Sequence, residues 1–263
     1  MKTKILFRED LTTEEELIVA NIFFDVTNER VGIENSTVIG RYSVLPFYKE
    51  LEKSLAIQGS RLINTYKQHC YIADFEYYED IKDLTPKTYF NLSEVNDYDG
   101  PFVVKGKTNS RKFEWDSMMF AQDKRRAIEI SCELRRDSLL QQQDIVYREF
   151  VKLNVLEEGI NGLPFSNEWR FFCYKDTILS YGFYWTISEK VGALHQDAIN
   201  LVEEVIKRVK DKVNFFVVDV AEKEEGGWIV IEMNDGQQSG LSGCDPEELY
   251  SNLSNYIRYQ NNE

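Results

Sequence analysis

Three oxygen-bearing side chains, Asp219, Glu232 and Asn234, lie in two apolar segments that read as neighbouring strands. Successive strand residues point to opposite sides. In FFVVDVA, Asp219 therefore shares a face with Phe215 and Val217. In GWIVIEMND, Glu232 and Asn234 share a face with Trp228 and Val230, opposite Ile229, Ile231 and Met233. KEEGG reads as the turn of a hairpin between them, which sets Asp219 beside Glu232 and Asn234. Two ionised carboxylates among apolar neighbours repel each other and lose hydration unless a cation joins them. Hard divalent cations take oxygen ligands, and Mg2+ commonly combines one or two carboxylates with phosphate oxygens. A solvated hairpin with acids on its wet face would carry the same residues. A calcium loop starting at Asn234 fails, because it lacks acids at alternating positions and a closing glutamate.

A cation bound with phosphates needs basic partners. Lys105 ends the short strand Phe102 to Lys105, where a phosphate-binding lysine would be rigidly placed. KGKTNSRK brings Lys105, Lys107, Arg111 and Lys112 together without an acid. Charge alone fits either a solvated loop or a loop that covers a compact anion. In NEWRFFCY, Glu168 and Arg170 alternate on one face with Trp169 on the other. An arginine there suits bidentate contact with phosphate or carboxylate. No Ser–His or Cys–His pair suggests covalent catalysis. His69 and His195 sit in helical or helix-start contexts and read as structural or exposed.

The elements that must position these groups follow from periodicity and punctuation. A strand at Lys4 to Phe7 precedes a helix from about Thr13, where TTEEE supplies a cap and early negative charge. Leu45 to Gly59 reads as a helix ending at its glycine. From about Asp123 to Gln141 the sequence is strongly helical. Asp144 to Val155 is one strand rich in β-branched and aromatic residues. NEWRFFCY and TILSYGFYW form two strands joined at Lys175 and Asp176. A helix over Asp197 to Lys210 places Ala198, Ile199, Val202, Val205, Ile206 and Val209 on one face. Asp245 and Pro246 open a final helix by N-cap and N1 preference. Mixed helices and strands with antiparallel pairs make this an α/β (α+β) protein.

The chain of 263 residues can bury a core without staples. Thirty-one basic residues against 45 acidic ones give a net charge of -14, which disfavours general binding to nucleic acid or anionic membranes. No apolar run is long enough to span a bilayer, and the first residues do not resemble a signal peptide. Cys70, Cys132, Cys173 and Cys244 are widely spaced, as expected of reduced thiols in a cytoplasmic protein.

Taken in order, FVVK, YREFV, EWRFF, VVDVA and VIEMN resemble the ATP-grasp superfamily. Its signature runs from a strand lysine through a hinge strand and an arginine to an Asp and a Glu-x-Asn. GRYSVLPFY, LTPKT, VVKGKTNSRKF and EMNDGQQSGL look closer still to small ATP-grasp proteins common in bacteriophages and bacteria, whose sites use an arginine and two lysines. The resemblance implies two lobes gripping ATP, about 97–147 and 148–263, after an N-terminal α/β domain over 1–96.

It also implies roles. Adenine would lie against the hinge at Glu149, Phe150 and Val151, with Glu168 among the residues that bind nucleotide. Lys105 would contact the α- or β-phosphate, and Asp219, Glu232 and Asn234 would hold Mg2+. Arg170, Lys107, Arg111 and Lys112 would serve the transferring phosphoryl group. Lys67 and Lys87 both fit a second ATP lysine, Glu157 and Glu158 a ribose-binding acid, and Arg41 and Tyr42 an acceptor contact. The implied activity is an ATP-dependent ligase that joins an unidentified carboxylate to an amine or thiol of an amino acid, peptide or protein. A kinase, or a nucleotide-binding interaction protein without turnover, is the alternative.

Overall fold

The computed structural model describes residues 2–138 and 140–260. The chain begins with β1 (Lys2–Phe7), α1 (Glu14–Phe23), β2 (Asp25–Thr27), β3 (Ser36–Arg41), α2 (Tyr48–Ile57), β4 (Arg61–Leu62), α3 (Tyr66–Ala73) and α4 (Tyr78–Ile81). Its strands form a parallel sheet in the order β2-β1-β3-β4. Thr13 caps α1 by accepting the Glu16 N–H at 3.2 Å, and Gly59 follows α2 at φ +69°. Both are ordinary helix boundaries.

Next come β5 (Thr88–Tyr89), β6 (Phe102–Gly106), α5 (Trp115–Met118), β7 (Phe120–Ala121), α6 (Lys124–Leu134) and β8 (Ile145–Glu149). They build a second sheet, β5-β8-β6-β7, over an apolar cluster that includes Phe102, Val104, Ala127, Ile130 and Leu134. Asp123 caps α6 through the Arg126 N–H at 2.8 Å, but the helix stops at Leu134, short of the expected Gln141. The strand expected from Asp144 to Val155 also stops early, at Glu149. Beyond it the Phe150 N–H reaches the Pro101 carbonyl (2.9 Å) and the Asn154 N–H reaches the Glu222 carbonyl (2.8 Å), so the backbone crosses from one sheet to the next.

The crossing leads through the hairpin β9 (Val155–Glu158) and β10 (Pro164–Ser166). Then follow β11 (Glu168–Tyr174), β12 (Thr177–Phe183), α7 (Gln196–Val209), β13 (Phe215–Glu222), β14 (Trp228–Asp235) and α8 (Pro246–Gln260). The third sheet is antiparallel, β12-β11-β13-β14. One face packs on the apolar side of α7 through Phe171, Cys173, Val218 and Val220. The other face is divided. Phe172, Phe215 and Val217 meet α1, α8 and the first sheet, whereas further along the same strands the residues are Arg170 and Asp219.

Strict alternation fails on β14. Asp219 pairs with Glu232 and Val220 with Val230, which leaves Ile231 as the extra residue of a bulge. Val230 and Met233 therefore both join the cluster under α7, while Ile231 and Glu232 line the cleft between the second and third sheets. The expected shared face of Val230 and Glu232 is corrected by this bulge, which re-aims side chains as bulges next to sites commonly do.

The polar run after β14 ties the first sheet to the third. Asp235 Oδ1 accepts from Asn64 (2.9 Å) and the Gln237 N–H (3.0 Å), while Asp235 Oδ2 lies 2.9 Å from His69 Nδ1. Gln237 Oε1 accepts the Gly40 N–H at 3.0 Å, and its amide donates to the Tyr48 hydroxyl at 2.6 Å. Among the described residues, no helix is long and apolar enough to cross a membrane.

Candidate active site

Strand register puts Arg170 opposite Asp219 and Asp219 opposite Glu232, so a cation and two carboxylates stand in a row across β11, β13 and β14. Arg170 grips Asp219 with two parallel hydrogen bonds, Nε to Oδ1 and Nη2 to Oδ2, both 2.8 Å. Its Nη1 donates to the Gly240 carbonyl at 2.7 Å. That contact depends on Gly182, which lies opposite Arg170. A Cβ there would come within 2.0 Å of the Gly243 carbonyl carbon, so only bare backbone lets the loop after β14 lie this close. Asn234 donates to Glu232 Oε1 at 3.0 Å. From β6 on the second sheet, Lys105 donates to Glu232 Oε2.

These groups close one end of a cleft of about 340 Å³ between the second and third sheets. Its other walls are largely apolar, with Val103, Met119, Val151, Leu153 and Leu163 among the lining residues. The crossing segment after β8 forms one edge. There the Val151 N–H has no protein acceptor among the described residues, so it is available to a planar ligand.

Charge in the cleft is finely opposed. Burial, then repulsion from Asp219 and Glu232, pushes the Glu168 carboxyl up to about 8. Burial would push Glu232 up as well, but Lys105, with help from Asn234, outweighs it and holds the carboxyl down at about 2. Burial lowers the Lys112 ammonium below the ordinary lysine range.

The structure brings Lys105, Lys112, Glu149, Phe150, Val151, Glu168 and Glu232 to the cleft lining, with Arg170, Asp219 and Asn234 in contact behind it. Lys107 and Arg111 lie elsewhere on the loop, drawn to Asp144 (2.8 Å) and Asp137. Glu149 has its carboxylate engaged by the Tyr89 hydroxyl at 2.6 Å, with Lys87 3.7 Å away, so at the hinge the free groups are backbone. Glu157 accepts from Ser188 (2.6 Å) and the Glu189 N–H (3.0 Å). Glu158 and Lys67 are exposed. Arg41 is wholly buried, bonded to Glu16 (2.6 and 2.9 Å) and covered by the partly exposed Tyr42.

Sequence reasoning missed Arg148. It is buried, lines the cleft, and donates to Thr85 (2.6 Å), Thr88 (3.3 Å) and the Ile231 carbonyl that the bulge leaves outside the ladder. The signal was a charged residue amid the apolar IVY of a central strand. Tyr184, which accepts from Lys112 at 2.8 Å, was likewise passed over.

The family described as ATP-grasp domain, R2K clade family 3, matches residues 92–253. This chain belongs to that ATP-grasp family. Solved ATP-grasp structures share its fold almost end to end. D-cycloserine synthetase DcsG superposes with a TM-score of 0.65 at 12% identity, over 97% of this chain and 99% of its own. D-alanine–D-alanine ligase from Bacillus anthracis, complexed with ATP, gives 0.58 at 13% identity, over 98% of each chain. ATP-grasp ligase PsnB, complexed with its minimal precursor, Mg and ADP, gives 0.59 at 9% identity, over 99% of this chain and 98% of its own. Among curated proteins, none matches the sequence.

The donor set of this ATP-grasp chain fits a hard cation: two carboxylates and an amide oxygen, with neither sulfur nor imidazole among them. Lys105 and Arg170 balance the carboxylates here, and among the described residues no cluster of three His, Cys, Asp or Glu side chains stands ready to hold a metal. Glu168 is raised first by burial and only second by repulsion from Asp219 and Glu232, and that second contribution is the part a divalent cation would relieve.

Proposed function

We propose that the protein is an ATP- and Mg2+-dependent ligase that joins a carboxylate to an amine or thiol through an acyl-phosphate. The observation that carries this reading is the row Arg170–Asp219–Glu232, met by Lys105 from the facing sheet at the end of an apolar cleft. The apolar walls suit a purine, and the backbone of Phe150 and Val151 suits its hydrogen-bonding edge. Lys105 exchanges Glu232 for an α- or β-phosphate oxygen, which frees the Glu232 carboxylate. Asp219, Glu232 and Asn234 would hold Mg2+, which would neutralise phosphate charge when bound. Membership of the ATP-grasp family and its fold neighbours, which include a D-alanine–D-alanine ligase and a ligase complexed with a precursor peptide, support the same reading.

A carboxylate oxygen of the substrate attacks the γ-phosphorus, the bond to the β-phosphate's bridging oxygen breaks, and ADP leaves. The amine or thiol then attacks the acyl carbon, the bond to the phosphate oxygen breaks, and the nucleophile loses its proton. Both steps develop negative charge on phosphoryl oxygens, so positioned cations do most of the work and no protein nucleophile is required. Arg170 and Lys112 stand where that charge develops, with Lys107 and Arg111 able to join them only by leaving Asp144 and Asp137. The acceptor is an amino acid, a peptide or a protein.

Hydroxylamine tests the reaction class. With ATP, Mg2+ and a panel of amino acids and peptides, an acyl-phosphate gives a hydroxamate together with stoichiometric ADP and phosphate. ADP formation with a stable phosphorylated product and no hydroxamate would make the protein a kinase instead.

A further inference from the structure

Two cations lie against Tyr184. Lys112 Nζ donates to the Tyr184 hydroxyl at 2.8 Å and lies 4.6 Å from its ring centroid. The Arg170 guanidinium carbon lies 4.8 Å from the same centroid. The two cations come from opposite sides of the cleft. Lys112 ends the loop that follows β6, whereas Tyr184 follows β12 and extends its ladder by donating its N–H to the Glu168 carbonyl at 2.9 Å.

Lys112 also differs from the other cations of its loop. Lys105, Lys107 and Arg111 each have a carboxylate partner, Glu232, Asp144 and Asp137. The Lys112 ammonium has rings instead: besides Tyr184, Phe113 at 5.5 Å and Trp185 at 5.3 Å. Aromatic faces attract a cation through their quadrupole without cancelling its charge. An ammonium held this way keeps its full charge for an incoming anion. Lys112 and Arg170 thus both lie against one uncharged ring.

We propose that Tyr184 is a positioning residue that latches the Lys105–Lys112 loop across the cleft. It thereby sets Lys112 beside Arg170 as a two-cation seat for the outermost phosphoryl group of a nucleotide. The seat rests on the ATP-dependent reading above, whereas the latch rests on the Lys112–Tyr184 hydrogen bond alone. The loop is held at its far side by independent bonds: Thr108 and Asn109 N–H to Gln143 Oε1 (3.2 and 3.3 Å) and Lys107 N–H to the Asp144 carbonyl (3.1 Å). Those amides report whether the loop stays down.

The test compares wild type, Tyr184→Phe, Lys112→Gln and the double variant. Tyr184→Phe keeps the ring and loses only the hydroxyl. Hydrogen exchange on the ligand-free proteins should show the amides of residues 107–109 exchanging about tenfold faster in each variant, with the rest of the chain unchanged. Affinity for inorganic triphosphate should fall about five- to tenfold in Tyr184→Phe, and the double variant should be no weaker than Lys112→Gln alone, because one residue acts through the other. Unchanged exchange in Tyr184→Phe would overturn the latch even if triphosphate and ATP bind. Losses that add in the double variant would overturn the positioning role. Faster exchange together with wild-type protein that binds neither triphosphate nor ATP would sustain the latch and overturn the seat, along with the ATP-dependent reading.

Discussion

Lys105 and Glu232 form an ion pair that joins the facing sheets of the cleft, one residue on β6 and the other on β14. The lysine is nearly buried, so its charge is balanced by this carboxylate rather than by water. An anion that replaces Glu232 as its partner frees a carboxylate for a cation in the same event.

Lys105→Met should therefore weaken ATP about ten- to a hundredfold, the worth of one charge-assisted hydrogen bond, and leave adenosine within about twofold. Calorimetric titration with both ligands checks this. Equal losses for the two would put Lys105 away from the phosphates.

Asp219 has two consequences where Glu232 has one. Asp219 is fully buried and holds Arg170, so Asp219→Ala leaves an uncompensated cation and should cost about 3–5 kcal/mol in chemical denaturation. Asp219→Asn should also destabilise the fold, by less. Glu232→Gln takes the carboxylate from the nearly buried Lys105, but Glu232 is partly exposed and the amide can still accept a hydrogen bond, so it should cost less, about 1–3 kcal/mol. A fully stable Asp219→Ala would contradict the pairing.

Glu168 gives a pH signature. Its carboxyl rises from the ordinary 4.5 to about 8 on folding, so the folded state favours the neutral form. The stabilisation is complete below about 4.5 and is lost as pH rises through about 8, with a slope near 1.4 kcal/mol per pH unit inside that window. In metal-free protein, unfolding free energies of wild type should fall relative to Glu168→Gln between those limits. Parallel curves for the two proteins would show that Glu168 titrates normally.

Arg41 tests the N-terminal sheet. It is locked to Glu16, and Tyr250 donates to the same carboxylate at 2.7 Å, which binds β3, α1 and α8 together. Arg41→Ala should lower stability by about 3–5 kcal/mol and leave the ATP affinity of the folded protein unchanged. A stable variant with altered acceptor dependence would return Arg41 to the acceptor role that its place in GRYS suggests.

What the sequence makes legible here is local. The β13–β14 hairpin has a short polar turn and two apolar strands, so its two strands are legible from period and turn, whereas the pairing of Asp219 with Glu232 needs the bulge at Ile231. The caps at Thr13, Asp123 and Asp245 are equally local. Long-range choices are hidden. Nothing near Lys107 or Arg111 says that Asp144 and Asp137, 37 and 26 residues on, will engage them. The bulge at Ile231 is invisible because an apolar run looks the same with or without an extra residue. Its carbonyl is what Arg148 meets across the cleft, which explains why that arginine looked like an ordinary strand residue. The polar run DGQQS reads as an unusually wet turn, whereas Asp235, Gln237 and Ser239 are buried at the seam with the first sheet.

The most direct measurement is calorimetric titration of ATP, or a non-hydrolysable analogue, with and without Mg2+, on wild type and Glu232→Gln. Wild type should bind tightly only with Mg2+, and Glu232→Gln should lose that dependence together with most of the affinity. Equal binding by the two proteins, or binding indifferent to Mg2+, would contradict the assignment of the Asp219–Glu232–Asn234 row as the cation site of an ATP-dependent enzyme.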